Sequence, residues 1–296
     1  MTGYIPRESA PQLEPATGTS VRIYLPDERL RSYATFYYFV DADTPLEDFL
    51  YPEWGNVRFT TRGWWLVELG DGYPREPHDA LLFGPTDHAA RVTCPGGTTM
   101  GFGLTPLGWQ RLFDQPAGDM ANRAVPLDDL FGTPGADLLA TLKGHGDDAQ
   151  GVALFDRLLL DRLEHAPPNP DWAIRIDDIL RDRPHSVEDF AAAAGVSEKT
   201  LGRMCRRVYG FGAKRLLRRQ RFLDTLGQIR LIDTPRYGHL VDPEYFDQAH
   251  FIREFHEFMG LSPTAYISAP RPLMGQAAQV QAAAGITLSF KLPPGH

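Results

Sequence analysis

The sequence predicts an α+β protein, with an antiparallel β-barrel or sandwich and flanking helices in its N-terminal half and an all-α C-terminal half. Three observations lead to this prediction. Short apolar stretches recur between residues 21 and 105, separated by Gly, Pro and Asp, whereas after Pro106 apolar residues recur at helical spacing. Residues 1–170 carry 13 basic and 24 acidic residues, a net −11, and residues 171–296 carry 17 and 14, a net +3. The two halves therefore differ in charge as well as in pattern.

Seven stretches of the N-terminal half have the length and composition of strands. They are VRIYL (21–25), ATFYYFV (34–40), NVRFT (56–60), WWLVEL (64–69), ALLFG (80–84), ARVTC (90–94) and MGFGL (100–104). Turn signals lie at Asp71-Gly72 and Pro95-Gly96-Gly97. Strands this short at this spacing favour an antiparallel sandwich or barrel. Residues 1–20, rich in Pro, Thr, Ser and Glu, are expected to be a flexible leader.

The predicted β-rich domain spans residues 21–165 and ends with helices, of which 152–163 has the strongest pattern. Its apolar stripe consists of Val152, Phe155, Leu158, Leu159 and Leu163. This stripe could form a homodimer seam or pack against its own strands. Residues 166–171 contain three prolines and are predicted to be the interdomain linker. A second domain is expected at 172–268, followed by a tail at 269–296 that the pattern leaves unassigned.

The stretch 186–210 has the pattern of two short helices joined by a tight turn. Ser186 with Asp189 has the form of a capping box, and Gly195 can adopt the positive φ of a helix end. Ser197 can cap the second helix. Its predicted inward positions are Leu201, Met204, Cys205 and Val208, while Lys199, Arg203 and Arg206 fall on its other face. A short helix, a glycine turn and a second helix with a cationic face are what a major-groove reader requires.

Basic residues are concentrated around this second helix. Residues 198–221 contain nine Lys or Arg residues and one acid, Glu198. A charge run alone is usually a solvated surface. Because this run coincides with a helix-turn-helix pattern, DNA contact is the favoured interpretation, with some cations neutralising phosphates and others reading base edges.

A second helix-turn-helix pattern closes at residues 245–266. Asp247 can cap a helix whose buried stripe is formed by Phe251, Phe255 and Phe258. Gln248, His250 and Arg253 would then face outward near its N-terminal end. The sequence Gly260-Leu261-Ser262-Pro263 should end that helix, because Gly supplies the cap and Pro cannot continue it.

These motifs resemble the signature of the AraC/XylS family over about residues 172–267. The match rests on Phe246-Asp247-Gln248-Ala249-His250-Phe251-Ile252-Arg253-Glu254-Phe255, on Gly260 to Pro263, and on Gly195-Val196-Ser197 with Leu201 and Arg203. The resemblance implies seven helices, in which two helix-turn-helix units are joined by a long helix at about Ala213–Ile229 and enter successive major grooves. It implies contacts to double-stranded promoter DNA from Ser197, Lys199, Thr200, Arg203, Arg206, Arg207, Gln248, His250 and Arg253.

The β-rich half more weakly resembles the cupin-like sensory domain of such regulators. This resemblance implies a small-molecule effector bound in a barrel pocket, with Tyr38, Trp65 and Phe102 as candidate lining residues. A homodimer and RNA polymerase are the implied protein partners. Aromatic residues in strands more often belong to the core, and that alternative stays open here.

The second half departs from the family pattern in the turn before its recognition helix. The family usually has glycine where this chain has Glu244, and Ile267 stands where an arginine is usual. Pro235, Gly238 and Pro243 interrupt the preceding helix. Glu at a left-handed position costs about 1 kcal/mol and Pro in a helix interior about 3 kcal/mol. Either the turn is rebuilt or the second unit binds DNA weakly.

Composition and motifs exclude several other classes. An apolar fraction of 43% argues against disorder, and no apolar run reaches the length of a membrane span. Cys94 and Cys205 are expected to be reduced core thiols in a cytoplasmic protein. His78 and His88 form no H-x-H pair for a metal site, and no phosphate loop or nucleophile elbow is present. No cofactor is therefore expected.

The function predicted from the sequence is a non-enzymatic, sequence-specific transcription regulator. Two alternatives come from other classes. One is an interaction protein whose impaired second helix-turn-helix has lost operator recognition, and the other is a barrel enzyme fused to a DNA anchor. A steep salt dependence of DNA affinity would favour the regulator, and turnover of a ligand would favour the enzyme.

Overall fold

The computed structural model describes residues 18–69, 76–232, 234 and 236–288. Most of the predicted leader, the Asp71-Gly72 turn, Pro235 and the end of the tail lie outside the described residues. The strands are β1 (Thr19–Tyr24), β2 (Ala34–Ala42), β3 (Leu46–Leu50), β4 (Asn56–Gly63), β5 (Leu66–Glu68), β6 (Ala80–Phe83), β7 (Ala90–Cys94), β8 (Gly97–Leu104), β9 (Ala124–Pro126), β10 (Asp129–Leu130) and β11 (Thr133–Pro134).

The helices lie mainly in the C-terminal half. They are α1 (Pro106–Leu112), α2 (Gly135–Lys143), α3 (Asp148–His165), α4 (Asp171–Arg181), α5 (Val187–Ala194), α6 (Glu198–Tyr209), α7 (Ala213–Ile229), α8 (Gln248–Met259), α9 (Pro263–Ser268) and α10 (Met274–Ala283). We refer to residues 18–165 as the β-rich part and to 171–268 as the helical part. The predicted α+β class is therefore confirmed.

Each of the seven predicted stretches contains a strand, and ARVTC matches β7 from end to end. The sequence missed β3, whose residues LEDFL include two acids. Its burial nevertheless alternates, with Glu47 exposed and Asp48 buried. Asp48 tolerates burial because it accepts hydrogen bonds from backbone amides, as described below. Tertiary structure thus supplied the hydrogen-bond donors that the local pattern did not reveal.

The described strands form a small pair, β10-β11, and two larger sheets that face each other. The larger has the order β1-β2-β8-β4-β6-β9 and the smaller β3-β7-β5, with antiparallel pairing throughout both. Val21 and Val40 of the large sheet share one core with Leu46 and Val92 of the small one. This is the predicted antiparallel sandwich.

The other face of the large sheet is covered by α3. The Phe155 ring centroid lies 5.4 Å from that of Tyr37, 6.3 Å from that of Phe39 and 6.2 Å from that of Phe59. Val152 and Leu159 are also buried here. The apolar stripe of α3 therefore packs against its own strands, which was one of the two alternatives that the sequence left open.

The two cysteine thiols are free and buried in separate cores. Cys94 ends β7, and Cys205 lies on the inner side of α6. Burial raises the pKa of the Cys205 thiol to about 12, so this thiol stays protonated at neutral pH. The prediction that both are core thiols is confirmed.

The described residues of the helical part form six α-helices, α4 to α9, rather than the seven that the family resemblance implied. At the position of the missing helix, between α7 and α8, the described residues form only a 3-10 turn at Gly238–Leu240. Pro lacks the backbone N–H that a helix interior needs, and Gly weakens a helix. Gly238 and Pro243 therefore explain why the described residues of this segment do not form an α-helix.

Candidate nucleic-acid interface

The first unit, residues 187–209, is a complete helix-turn-helix. Ser186 Oγ accepts a hydrogen bond from the Asp189 backbone N–H at 3.0 Å and so caps α5. Gly195 ends α5 with φ of 70°, a left-handed conformation that glycine adopts without strain. Ser197 Oγ accepts from the Thr200 N–H at 3.3 Å and caps α6. The predicted caps and turn are confirmed.

The outer face of α6 carries exposed cations. Leu201, Cys205 and Val208 are buried on its inner face, as predicted. The exposed basic side chains are Lys199, Arg203, Arg206 and Arg207. In the part of the chain that the structure describes, no carboxylate forms an ion pair with any of these four. Ser197 is exposed and Thr200 half-buried at the start of the same helix, so the structure brings the six predicted residues of this unit together.

Apart from the exposed Lys214, the basic residues of α7 contact other parts of the protein. Arg215 Nε lies 2.7 Å from Asp87 Oδ2 of the β-rich part. Arg219 is 1% exposed, stacks over the Trp54 ring at 3.7 Å, and donates to the Thr86 carbonyl at 2.9 Å. Burial lowers the pKa of Arg219 to about 9. The sequence count of nine cations therefore overstated the surface that is free for DNA.

Two further arginines of α7 hold the second unit, which we define as residues 238–259. Arg218 Nε lies 3.3 Å and Arg221 Nη2 3.4 Å from Glu254 Oε2 of α8, whose side chain is 1% exposed. Tyr245 donates its hydroxyl hydrogen to Glu254 Oε1 at 3.3 Å. Arg218 also pairs with Glu257. The long helix predicted at about Ala213–Ile229 is thus α7, and its charges orient α8 instead of lying open to solvent.

The recognition helix of the second unit has the predicted core and caps. Asp247 Oδ1 accepts from the His250 N–H at 2.6 Å, and Gly260 ends α8 with φ of 70°. The predicted stripe is completely buried, and the Phe258 ring stacks on that of Phe222 of α7 at 4.7 Å. This stacking joins α8 to α7 through apolar contact as well as through the ion pairs.

The turn before α8 is rebuilt. Among the described residues, the non-glycine positions with positive φ are Asn122, Phe131 and Arg183, so Glu244 is not in the left-handed conformation that the family glycine would suggest. Its N–H instead bonds to Asp242 Oδ1 at 2.9 Å. Its carboxylate lies 2.8 Å from His185 Nδ1. The expected strain at Glu244 is therefore absent, because the chain turns through Asp242.

The predicted contact residues of α8 differ in their surroundings. Gln248 and Arg253 are exposed. His250 is half-buried: its Nε2 lies 3.6 Å from Glu254 Oε2, and its ring is 5.3 Å from the Tyr245 ring. His250 thus supports the internal network around Glu254, whereas Gln248 and Arg253 are free to meet another molecule. The sequence gave no sign of this difference, because all three fall near the start of one helix.

The candidate effector residues do not share one cavity. Tyr38 and Trp65 line a cavity of about 70 Å³ between the two sheets. Phe102 pairs in register with Tyr37 and lies on the opposite face of the large sheet, where its ring is 5.3 Å from that of Phe155. Successive side chains of a strand point to opposite faces, so Phe102 cannot join the other two.

The cavity also contains a buried arginine that the sequence analysis missed. Arg58 Nε donates to Tyr38 Oη at 3.1 Å, and Tyr38 donates to Asn56 Oδ1 at 2.7 Å. The Trp65 Nε1 hydrogen has no hydrogen-bond acceptor among the described residues. The sequence did contain a signal for this residue, because Arg58 lies between the apolar residues Val57 and Phe59 of the predicted strand NVRFT.

The tail closes this cavity from one side. Asp48 Oδ2 of β3 accepts from the Leu273 and Met274 backbone N–H groups at 2.9 Å and 2.8 Å, at the start of α10. Burial raises the pKa of Asp48. Met274, with Ala277, lines the cavity. The tail, left unassigned by the sequence, therefore links the helical part to the β-rich part.

The His, Cys, Asp and Glu side chains of the described residues do not cluster in groups of three or more that could hold a metal ion. Of the helices that the structure describes, none combines the length and apolar character needed to cross a membrane.

Comparison with known proteins identifies the helical part. A family model described as a helix-turn-helix domain matches residues 190–269. No curated protein matches the chain.

Similar solved structures include ToxT from Vibrio cholerae (P21 form), with a TM-score of 0.46 and 8% identity over 84% of this chain and 98% of that one. Unsaturated fatty acid-bound ToxT from strain SCE256 of that species has a TM-score of 0.43 and 8% identity, and the match covers 88% of this chain and 96% of that one. The structure of the AraC-like transcriptional activator CuxR has a TM-score of 0.31 and 14% sequence identity, and the match covers 70% of this chain and 86% of that one. Scores this low do not establish a shared function.

The capped helix pair, the exposed cations of α6 and the family match define a helix-turn-helix protein, a class in which the second helix lies in the major groove of DNA. The matched segment, residues 190–269, is a helix-turn-helix domain, which is the kind of domain that the sequence resemblance implied for the helical part.

Proposed function

We propose that this protein is a sequence-specific transcription regulator that binds double-stranded promoter DNA. The observation that carries the proposal is the row of exposed, unpaired cations on a capped α6 (Lys199, Arg203, Arg206 and Arg207). Cations that neutralise phosphates release counterions and provide affinity, whereas arginine contacts to base edges provide sequence preference. A helix with this exposed face can do both.

The individual side chains are assigned from their place on each helix. Ser197, Lys199 and Thr200 lie at the N-terminal end of α6, which is where a recognition helix meets the bases. Arg203, one turn later, is our candidate for guanine recognition, while Arg206 and Arg207 at the far end would meet phosphates. In the second unit, Gln248 and Arg253 are the candidate contacts. His250 would have to leave Glu254 to join them.

We also propose a division into a leader (1–20), a regulatory and dimerisation domain (21–165), a linker (166–171), the DNA-binding domain (172–268) and the tail (269–296). A homodimer in the cytoplasm would place two such domains on one operator. RNA polymerase is the expected protein partner of a regulator bound at a promoter. Since the α3 stripe is buried in its own subunit, the dimer contact must lie elsewhere.

A small-molecule effector is proposed for the cavity between the sheets. Its supports are the volume of about 70 Å³, which Tyr38, Arg58 and Trp65 line, and the Trp65 Nε1–H, which has no acceptor among the described residues. A ligand that binds one conformation better would shift the population of DNA-competent molecules. To test this, the small-molecule ultrafiltrate of a cell extract is added to the protein. A rise in melting temperature that Tyr38→Ala abolishes would support the site, and an equal rise in both would contradict it.

The experiment that tests the main proposal is binding of the purified protein to fragments of its own upstream region and to shuffled DNA, at two salt concentrations. We expect a preference on the order of a thousandfold or more for the upstream fragment, and an affinity that falls steeply with salt. Salt-sensitive binding without sequence preference would reduce α6 to an electrostatic contact and overturn the proposal.

A further inference from the structure

Phe246 is the most exposed large apolar side chain among the described residues. It is 92% exposed, and the next, Leu231, is 51% exposed. Single exposed apolar residues are common and by themselves need no explanation. Phe246, however, is almost completely exposed and lies in the turn that leads into a recognition helix. At this position its side chain can contact a molecule bound by that helix.

The residues on both sides of Phe246 are fixed in place. Tyr245 is 7% exposed, and its ring lies 5.2 Å from that of Phe251. Asp247 caps α8 in an extended conformation, with φ of −154° and ψ of 170°. Tyr245 therefore points into the core and Asp247 towards the first turn of α8. Of the residues that the structure describes, none covers the Phe246 side chain.

The outward side of α8 differs in chemistry from that of α6. Gln248 is exposed, and Ile252, one turn later on the same face, is 36% exposed. Arg253 is the basic residue beside them. An apolar and amide surface at the start of a recognition helix thus stands where the first unit presents four cations.

We infer that the second unit recognises A·T base pairs, with Phe246 and Ile252 contacting thymine methyl groups and Gln248 pairing with adenine. This inference rests on the proposed function and gives the second unit its target. In the major groove, the 5-methyl group marks thymine, and apolar side chains contact it. A glutamine amide pairs with the adenine N6 and N7 atoms in two hydrogen bonds.

The probe that isolates this contact is DNA in which thymine is replaced by deoxyuridine, which removes the methyl group and leaves base pairing intact. Burial of one methyl group corresponds to about a fourfold change in affinity. We expect wild-type protein to bind its upstream fragment about fourfold to tenfold more weakly when the thymines facing α8 are replaced. Replacement of the thymines facing α6 should have a smaller effect.

The protein variant that tests the same contact is Phe246→Ala. Because the side chain is in water, the variant should fold with the melting temperature of the wild type. It should bind unmodified DNA about tenfold more weakly, and deoxyuridine substitution should weaken it less than it weakens the wild type, since the Phe246 contact is already lost and only that of Ile252 remains. Leu231→Ala, at an exposed apolar residue outside α8, is the matched control and should bind like the wild type.

Three outcomes separate this inference from the proposed function. Wild-type protein without preference for its upstream fragment would contradict both. Wild-type protein that prefers its upstream fragment and binds it with unchanged affinity after deoxyuridine substitution at every thymine would contradict the inference alone. Unchanged DNA affinity in Phe246→Ala, together with reduced transcription by RNA polymerase, would also overturn it, because Phe246 would then face the polymerase.

Discussion

The two helix-turn-helix units of this chain hold their recognition helices in place in different ways. In the first, two α-helices, a glycine turn and serine caps build a pair that exposes four cations. In the second, a 3-10 turn replaces the first helix, and α8 is positioned by ion pairs from α7 to Glu254. The difference shows that a recognition helix can be held either by a helix of its own unit or by charges from the connecting helix.

A second contrast concerns attachment to the β-rich part. The N-terminal half of α7, which follows the first unit, contacts it through Arg215 with Asp87 and Arg219 with Trp54. The second unit is followed by α10, which Asp48 caps. Tyr51 and Tyr266 share a hydrogen bond of 2.7 Å between their hydroxyl groups. Both units are therefore in direct contact with the part that would hold an effector.

The largest expected effect comes from breaking the support of α8. Glu254→Ala removes the buried carboxylate that Arg218 and Arg221 share, so we expect the free energy of unfolding to fall by about 3 kcal/mol. Urea unfolding measures this change. The matched variant Glu257→Ala removes a half-exposed partner of Arg218 and should cost less than about 1 kcal/mol. Equal costs would mean that the ion pairs do not position the second unit.

Arg203→Ala tests the cationic face of the first unit. We expect a loss of about 1–3 kcal/mol in binding to the upstream fragment and a relaxed preference at one base position, because arginine reads guanine with two hydrogen bonds. Binding to a set of single-base operator variants measures both. Arg253→Ala is the corresponding change in the second unit. A uniform loss on all sequences would make Arg203 a phosphate contact.

Asp87→Asn tests the attachment of α7 to the β-rich part. Burial alone would raise the pKa of Asp87, but the hydrogen bond with His88 and the charge of Arg215 outweigh it and hold this pKa well below its usual range. The stabilisation is therefore present above the unfolded value of about 3.9 and is lost as the pH falls below it. At neutral pH the variant should be less stable by about 1–2 kcal/mol.

The pH dependence gives this prediction its own check. Unfolding is measured for both proteins from neutral pH down to about pH 3, and the difference between them should shrink as the acid side of the unfolded pKa of about 3.9 is reached. A difference that stays constant over this range would show that Asp87 contributes through packing and not through its charge.

The smallest effect is expected at the rebuilt turn. Glu244→Gly would have strengthened the second unit if Glu244 were strained at a left-handed position, but its φ is not positive. We expect a loss of less than about 1 kcal/mol, because glycine adds freedom to the unfolded chain and the contact with His185 disappears. Thermal unfolding and DNA binding measure it. A gain in melting temperature or in DNA affinity would indicate that residue 244 occupies the left-handed position at which the family has glycine.

Much of the helical part could be predicted from local chemistry. Ser186, Gly195, Ser197, Asp247 and Gly260 each act on the backbone within a few residues, and each has the predicted role. Most strands of the β-rich part followed in the same way from period and turn residues, with β3 and the short strands β9, β10 and β11 as the exceptions. The proline and glycine residues of the segment before α8 also predicted that a helix there would be interrupted.

The charged side chains could not be predicted in this way. Arg203 and Arg215 belong to one basic run, yet the first is exposed and the second pairs with a residue 128 positions earlier in the chain. Similarly, Phe102 and Tyr38 are close in the sheet but lie on opposite faces, and Asp48 is buried because the tail supplies its donors. Such partners are distant in sequence, and local pattern contains no information about them.

The sequence by itself therefore determined the class of the fold, the limits of most elements and the presence of a DNA-binding domain, because caps, turns and periodicity are short-range properties of the chain. Only the tertiary structure decided which cations remain available to DNA, how α8 is supported without a partner helix, and where the tail lies. The physical reason is that burial and ion pairing depend on which surfaces meet, and those surfaces come from distant parts of the chain.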